Sequence, residues 1–191
     1  MIFYNQVYQH VDIGEKNRIR IIEVEEQVAY VVELDGATTM PKIISLEDLE
    51  AEIQSNILLL ISDPYLMNYR EQDLSEIQIE KRDENWSLVS KGWELYKTEL
   101  LSKKQRNSIF ELLSNEYGIS KIKVKRAFSR FWQRGLNKNA LLPDYVHSGA
   151  KGKERQLSTG DKVGRPRIYS SKGINITEDI KRQFSHVIKK Y

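Results

Sequence analysis

No cysteine occurs among the 191 residues. That absence excludes disulfides, thiolate metal sites and cysteine nucleophiles, and it is compatible with a reducing compartment. Histidine is nearly as scarce. His10, His147 and His186 lie far apart, so no zinc-ligand spacing exists. No apolar run approaches the roughly 18 residues of a membrane-spanning helix. The longest apolar cluster is residues 57–61, and no transmembrane helix is expected. The N-terminus MIFYNQVYQH has no basic region followed by an apolar stretch, so no signal peptide is expected. A last absence is local: between residues 119 and 142 there is no Asp or Glu.

What is present around that gap is positive charge. Residues 119–172 hold fourteen Lys or Arg against three acids, a local charge of +11 in a chain of net +3. Residues 1–83 carry −10 and residues 84–191 carry +13. Charge segregated in this way points to a polyanionic partner. The basic block begins with a helical pattern and continues as Gly-punctuated basic segments, an order that favours DNA over a membrane surface. With 40% hydrophobic and 30% charged residues and a mean hydropathy of −0.55, a soluble α+β chain of one or two domains is expected.

Residues 1–45 read as β. Ile19, Ile21, Val24, Val28, Tyr30, Val32 and Leu34 fall in short β-branched or aromatic runs, and Asp35-Gly36 is a turn signal. Segment 40–45 is a candidate returning strand. Ser45 with Asp48 marks a helix N-cap ahead of Leu46, Leu49 and Ile53 at helical spacing. This gives a small β-rich accessory domain over 1–60, too acidic to be a good DNA binder.

Residues 61–83 read as a polar connector opened by Asp63-Pro64, since proline disfavours α geometry in the residue before it. Over 84–135 three helices follow. Trp86, Val89, Trp93, Tyr96 and Leu100 make one apolar stripe. Ser102 is the expected N-cap of the second helix, with Ile109, Leu112 and Leu113 inward. Gly118 can end that helix in the left-handed conformation, and Ser120 can cap the third. The third helix runs from 121 to 134 with Val124, Ala127, Phe128 and Phe131 on its buried side.

Three helices with a short Gly turn before the last describe a helix-turn-helix. The opposite side of the third helix is expected to carry Lys121, Lys123, Lys125, Arg126, Ser129, Arg130, Gln133 and Arg134 toward DNA. Lys and Arg supply charge for phosphates, and Arg and Gln can read guanine or adenine edges. The other reading of such a helix is a solvated charged face on a structural bundle. A face without a single acid departs from the mixed signs usual there.

Over 136–173 the regular pattern gives way to an extended basic linker. Leu141-Leu142-Pro143 is a short apolar anchor, and Lys138, Lys151, Lys153 and Arg155 are candidate phosphate contacts. Gly164-Arg165-Pro166-Arg167 resembles the core of an AT-hook: a thin extended backbone whose Arg165 and Arg167 would enter a narrow A·T-rich minor groove beside Pro166. A flexible basic linker is the alternative. From 174 to 191 a further helix opens, with Thr177 as N-cap and Ile180, Phe184, Val187 and Ile188 at helical spacing. It needs a partner to pack on. The expectation is the first helix of a second DNA-binding domain, cut short at residue 191.

These residues resemble a known family. Phe131-Trp132-Gln133-Arg134-Gly135, then Asn139-Ala140-Leu141-Leu142-Pro143-Asp144-Tyr145, then Ser148-Gly149-Ala150-Lys151-Gly152, are similar to the N-terminal part of TnsB. TnsB is the DDE transposase of Tns-type bacterial transposons, of the phage Mu and retroviral integrase group. The similarity continues in 164–167 and in the final helix, and touches Asp63-Pro64-Tyr65 and Lys81-Arg82-Asp83. The resemblance implies binding to double-stranded DNA at transposon-end repeats, with other transposase subunits and TnsA- and TnsC-like proteins as partners in the bacterial cytoplasm. It places the metal-dependent Asp-Asp-Glu chemistry beyond residue 191, so Mg2+ is expected there and no cofactor or catalysis in these residues. Two alternatives stay open: a helix-turn-helix transcriptional regulator with an effector or dimerisation domain, and a protein-interaction module working through its acidic half.

Overall fold

The computed structural model describes residues 2–11, 17–36, 39–66, 71–144 and a helix at 178–190. Residues Met1–Asp144 form one compact unit and Tyr145–Tyr191 another. In the first unit an α+β architecture places a five-stranded antiparallel sheet ahead of a helical bundle. The strands are β1 (Val7–His10), β2 (Arg18–Val24), β3 (Val28–Glu33), β4 (Lys42–Ser45) and β5 (Leu58–Ile61), ordered β4-β3-β2-β1-β5. A short helix, α1 (Leu46–Gln54), joins β4 to β5. Ser45 caps it by accepting the Asp48 N–H, as its position in the sequence anticipates.

The sheet is buried on both faces. Tyr8, Ile21, Ala29, Val31, Leu49 and Leu58 form one cluster on the α1 side. Val7, Ile22, Val32 and Leu34 join a second cluster with residues of the helical bundle. Two-sided burial explains why β3 reads as a near-continuous apolar run and not as a strict alternation. Ile21 and Ile22 join opposite clusters, as neighbours along a strand do, and the β2–β3 register shifts just beyond them, between Ile21 and Glu23.

The apolar cluster 57–61 supplies β5, which pairs with β1. The chain then departs from the expected polar connector. After a 3₁₀ turn at Glu71–Asp73, helix α2 runs from Glu76 to Leu101, so it starts well before residue 84. Ser75 and Gln78 form a reciprocal capping box at its start. The first turns of α2 are rich in exposed charge, and their inward anchor is Arg82, a cation with no apolar signature. Arg82 is buried and donates to Asp83, Asn139 and Glu71. At Tyr96 the backbone leaves helical geometry (φ −131°, ψ 30°).

Ser102 closes α2, with its N–H on the Thr98 carbonyl, and does not cap the next helix. The N-cap position of the next helix falls to Gln105, which makes no side-chain cap bond, while buried Arg106 donates to the Leu100 and Leu101 carbonyls that end α2. Helix α3 spans Arg106–Tyr117 and helix α4 spans Lys121–Gln133. Ile109 and Leu113 are inward as expected, whereas Leu112 is exposed, one position out of phase with the buried stripe. The anchor Leu141-Leu142 is buried at the end of a 3₁₀ turn, Lys138–Leu141. In the second unit α5 (Glu178–Lys190) exposes Phe184, Val187 and Ile188. Thr177 and the linker candidates Lys151, Lys153, Arg155, Arg165, Pro166 and Arg167 lie outside the described residues.

Candidate nucleic-acid interface

The link between α3 and α4 is three residues long. Gly118 takes the left-handed conformation (φ 62°) and ends α3, and the Ser120 hydroxyl accepts the Lys123 N–H to start α4. Ser114 Oγ donates to the Ile119 carbonyl and ties the turn back to α3. A polar N-cap, a left-handed glycine and short spacing make the helix-turn-helix corner that the sequence suggested.

Aromatic packing fixes α4 on its inner side. Phe128 lies 5.6 Å from Phe110 and 5.4 Å from Trp132, and Phe131 lies 5.7 Å from Trp93, measured between ring centres. Val124, Phe128 and Trp132 are fully buried. The first two turns turn outward and expose Lys121, Ile122, Lys123, Lys125 and Arg126. Lys121 pairs with Glu111 at 3.2 Å. Lys123 and Arg126 face a concavity that also takes in Asn85, and Lys125 faces another with Lys103 and Asn107.

The last two turns of α4 are different. Ser129 and Gln133 are not on the open face expected of them: they are 2% and 8% exposed. The sheet covers them. Gln133 Nε2 donates to the Gly36 carbonyl at 2.7 Å and, more weakly, to Glu33 and Leu34. Ser129 Oγ accepts the Thr39 N–H at 2.9 Å. Neither side chain can reach a base, because its polar atoms are spent on the connection between β3 and β4. The sequence carried no warning, since an outward polar residue and one bonded to a neighbouring sheet have the same helical phase.

More contacts weld the sheet to this end of α4. Arg20, fully buried on β2, donates Nε to the Gln133 carbonyl and both Nη atoms to Asp63, at 2.8 and 2.6 Å. Burial pushes the Asp63 carboxyl up. The Arg20 hydrogen bond, the Tyr65 N–H and the Arg20 charge outweigh that and hold it below the ordinary range. Asn5 Nδ2 reaches the Gly135 carbonyl at 3.3 Å, and Arg106 reaches the Pro41 carbonyl at 3.0 Å. Burial lowers the Arg106 pKa. Its guanidinium also sits 5.9 Å from the Trp132 ring centre.

The remaining described candidates are engaged in ion pairs. Arg134 grips Asp144 with two hydrogen bonds, 2.8 and 2.5 Å, and Arg130 Nη2 lies 3.6 Å from the same carboxylate. Lys138 pairs with Asp83 at 3.0 Å. Of the eight α4 positions expected to face DNA, the structure leaves Lys121, Lys123, Lys125 and Arg126 exposed, with Lys123 and Arg126 lining one concavity and Lys125 another. It sets Arg130 and Arg134 in a half-buried cleft and encloses Ser129 and Gln133. Sequence reasoning missed Ile122, 63% exposed among the cations. Its signal was an apolar residue at a polar phase of the helix, and such a residue suits contact with a thymine methyl. Among the described residues no group of three or more His, Cys, Asp or Glu could hold a metal ion, and no helix is long and apolar enough to cross a membrane.

Two family models match this chain. One, the TnsB N-terminal SH3-like domain, covers residues 1–64, and the other, the TnsB second domain, covers residues 82–145. Their limits follow the sheet and the helical bundle. The chain is also 27% identical over 183 residues to the Escherichia coli transposon Tn7 transposition protein TnsB, an alignment covering 95% of this chain and 26% of that protein. The chain thus spans about a quarter of the length of that relative.

Proposed function

Because this chain belongs to the TnsB family, as an N-terminal region of it, we propose that it binds the ends of a transposon sequence-specifically and holds the rest of a transposase in register. The observation that carries this reading is the open cationic surface on the first two turns of α4, directly after the left-handed Gly118 turn. Helix-turn-helix proteins read the major groove with the N-terminal residues of their second helix. Here those are the residues left uncovered. In this reading Lys123, Lys125 and Arg126 contact phosphates and guanine edges, and Ile122 meets thymine methyls. The basic segment 145–173, with Arg165 and Arg167, follows the adjacent minor groove. Metal-dependent strand transfer, with Mg2+, belongs to a different part of the transposase, and TnsA- and TnsC-like proteins and further transposase subunits are the partners. The site of action is the bacterial cytoplasm, on the chromosome.

Footprinting this chain on transposon-end duplex tests the reading. A protected repeat is expected, with affinity falling by about 10³–10⁵ between 50 and 200 mM salt if six to ten phosphates are neutralised. Arg126→Ala is expected to cost about 1–3 kcal/mol and to relax preference at one base position. A footprint absent at low salt would overturn the proposal.

A further inference from the structure

The cleft between the C-terminal half of α4 and the β3–β4 connection holds two cations, Arg130 and Arg134, that base reading does not use. Lys123, Arg126, Arg130 and Arg134 line it, and among the described lining residues Asp144 is the one acid. Arg134 lies over the Tyr65 ring, its Cζ 5.4 Å from the ring centre. Both its Nη atoms then point at the two Asp144 oxygens, with Arg130 approaching one of them from the side. A planar fork that is already oriented suits an anion with two coplanar oxygens, and a phosphodiester presents the same pair of acceptors as a carboxylate.

We propose that the Arg130–Arg134 fork is a seat for one DNA backbone phosphate and that Asp144 occupies it as an intramolecular stand-in until DNA displaces it. This rests on the DNA-binding reading above. Three observations support it. Asp144 is 44% exposed and lies outside any helix or strand, past the Lys138–Leu141 turn, so it can swing away without melting an element. It is also the last residue of the first compact unit. Arg130 also carries a reduced pKa, first from burial and then from the neighbouring Arg134 charge, with Asp144 opposing. Two guanidiniums held together against repulsion favour any anion that replaces the carboxylate.

The test is a thermodynamic cycle on the whole 191-residue chain with a mixed-sequence duplex, since a phosphate contact is independent of base sequence. Asp144→Asn keeps the size and removes the competitor. Binding up to about fivefold tighter is expected, the range set by an ion pair open to water. Arg134→Gln is expected to weaken binding and to lower the slope of log affinity against log salt by about 0.9, one phosphate's share. In the Arg134→Gln background, Asp144→Asn is expected to change little. If Asp144→Asn leaves wild-type affinity unchanged, the seat is refuted while DNA binding stands. If it strengthens binding equally with and without Arg134, Asp144 acts by general repulsion and the seat is again refuted. If the wild-type chain binds neither this duplex nor a transposon end at low salt, the DNA-binding reading falls and takes the seat with it. Matched melting temperatures for the variants guard against a folding defect.

Discussion

Gln133 donates from a buried position to the Gly36, Glu33 and Leu34 carbonyls, of which Leu34 is buried, so cutting it to alanine removes these bonds and leaves a buried acceptor without this donor. Gln133→Ala is expected to lower stability by about 1–3 kcal/mol. The readout is a shifted urea midpoint at constant slope, with base preference unchanged. Relaxed base preference at full stability would instead return Gln133 to the role of a reader. Asp63 makes a pH prediction. Its pKa is lowered in the folded state, so its contribution is complete above the ordinary aspartate value and is lost as pH falls through the lowered one. Below about pH 4 the melting temperature of the wild-type chain is expected to drop faster than that of Asp63→Asn. Parallel curves would mean that the Arg20 contact contributes no charge-dependent stability. The sequence could not offer either residue this role. Arg20 and Gln133 are 113 positions apart, and a lone polar residue reveals nothing about a partner so distant.

At the scale of elements, the closeness of α2 to α3 and α4 depends on Gly92. A Cβ there would lie 2.8 Å from Phe128 Cζ and 2.9 Å from Leu113 Cδ1, both on fully buried side chains. Gly92→Ala is expected to cost about 1–3 kcal/mol through overpacking. Because it pushes on the inner side of α4, it is also expected to weaken DNA binding without changing a contact residue; denaturation and binding on one preparation check both. An alanine tolerated at no cost would show that the bundle repacks freely. Elements such as α4 were legible because their signals are local: Gly118, Ser120 and the stripe of Val124, Ala127, Phe128 and Phe131 lie within one stretch of chain. The start of α2 was not, because Arg82 holds the position of an apolar anchor by means of hydrogen bonds. Ser102 misled for a related reason. A serine between two helices can serve either end, and Arg106 satisfies the carbonyls that would have told them apart.

For the molecule as a whole, one apolar cluster runs from Val7, Ile22 and Val32 of the sheet into Leu88, Phe110, Phe128 and Trp132 of the bundle. Residues 1–60 and 84–135, which read as separate domains in the sequence, therefore share a core within Met1–Asp144. Calorimetry of residues 1–144 is expected to give one transition whose calorimetric and van't Hoff enthalpies agree. Two resolved transitions would contradict the shared core. The sheet's grip on α4 also limits how much information the helix can hold. Only 121–126 are left exposed along α4, apart from inward Val124, a length of about 9 Å along the helix axis. Against the 3.4 Å step of duplex DNA that is roughly three base pairs, a choice among about 64 sequences, whereas a genome offers about 10⁶ or more competing positions. If α4 reads DNA as proposed, so short a reader can only spell one syllable of an address. The full address would then be composed from many such syllables, set at fixed intervals along the duplex, its meaning lying as much in their spacing as in their letters.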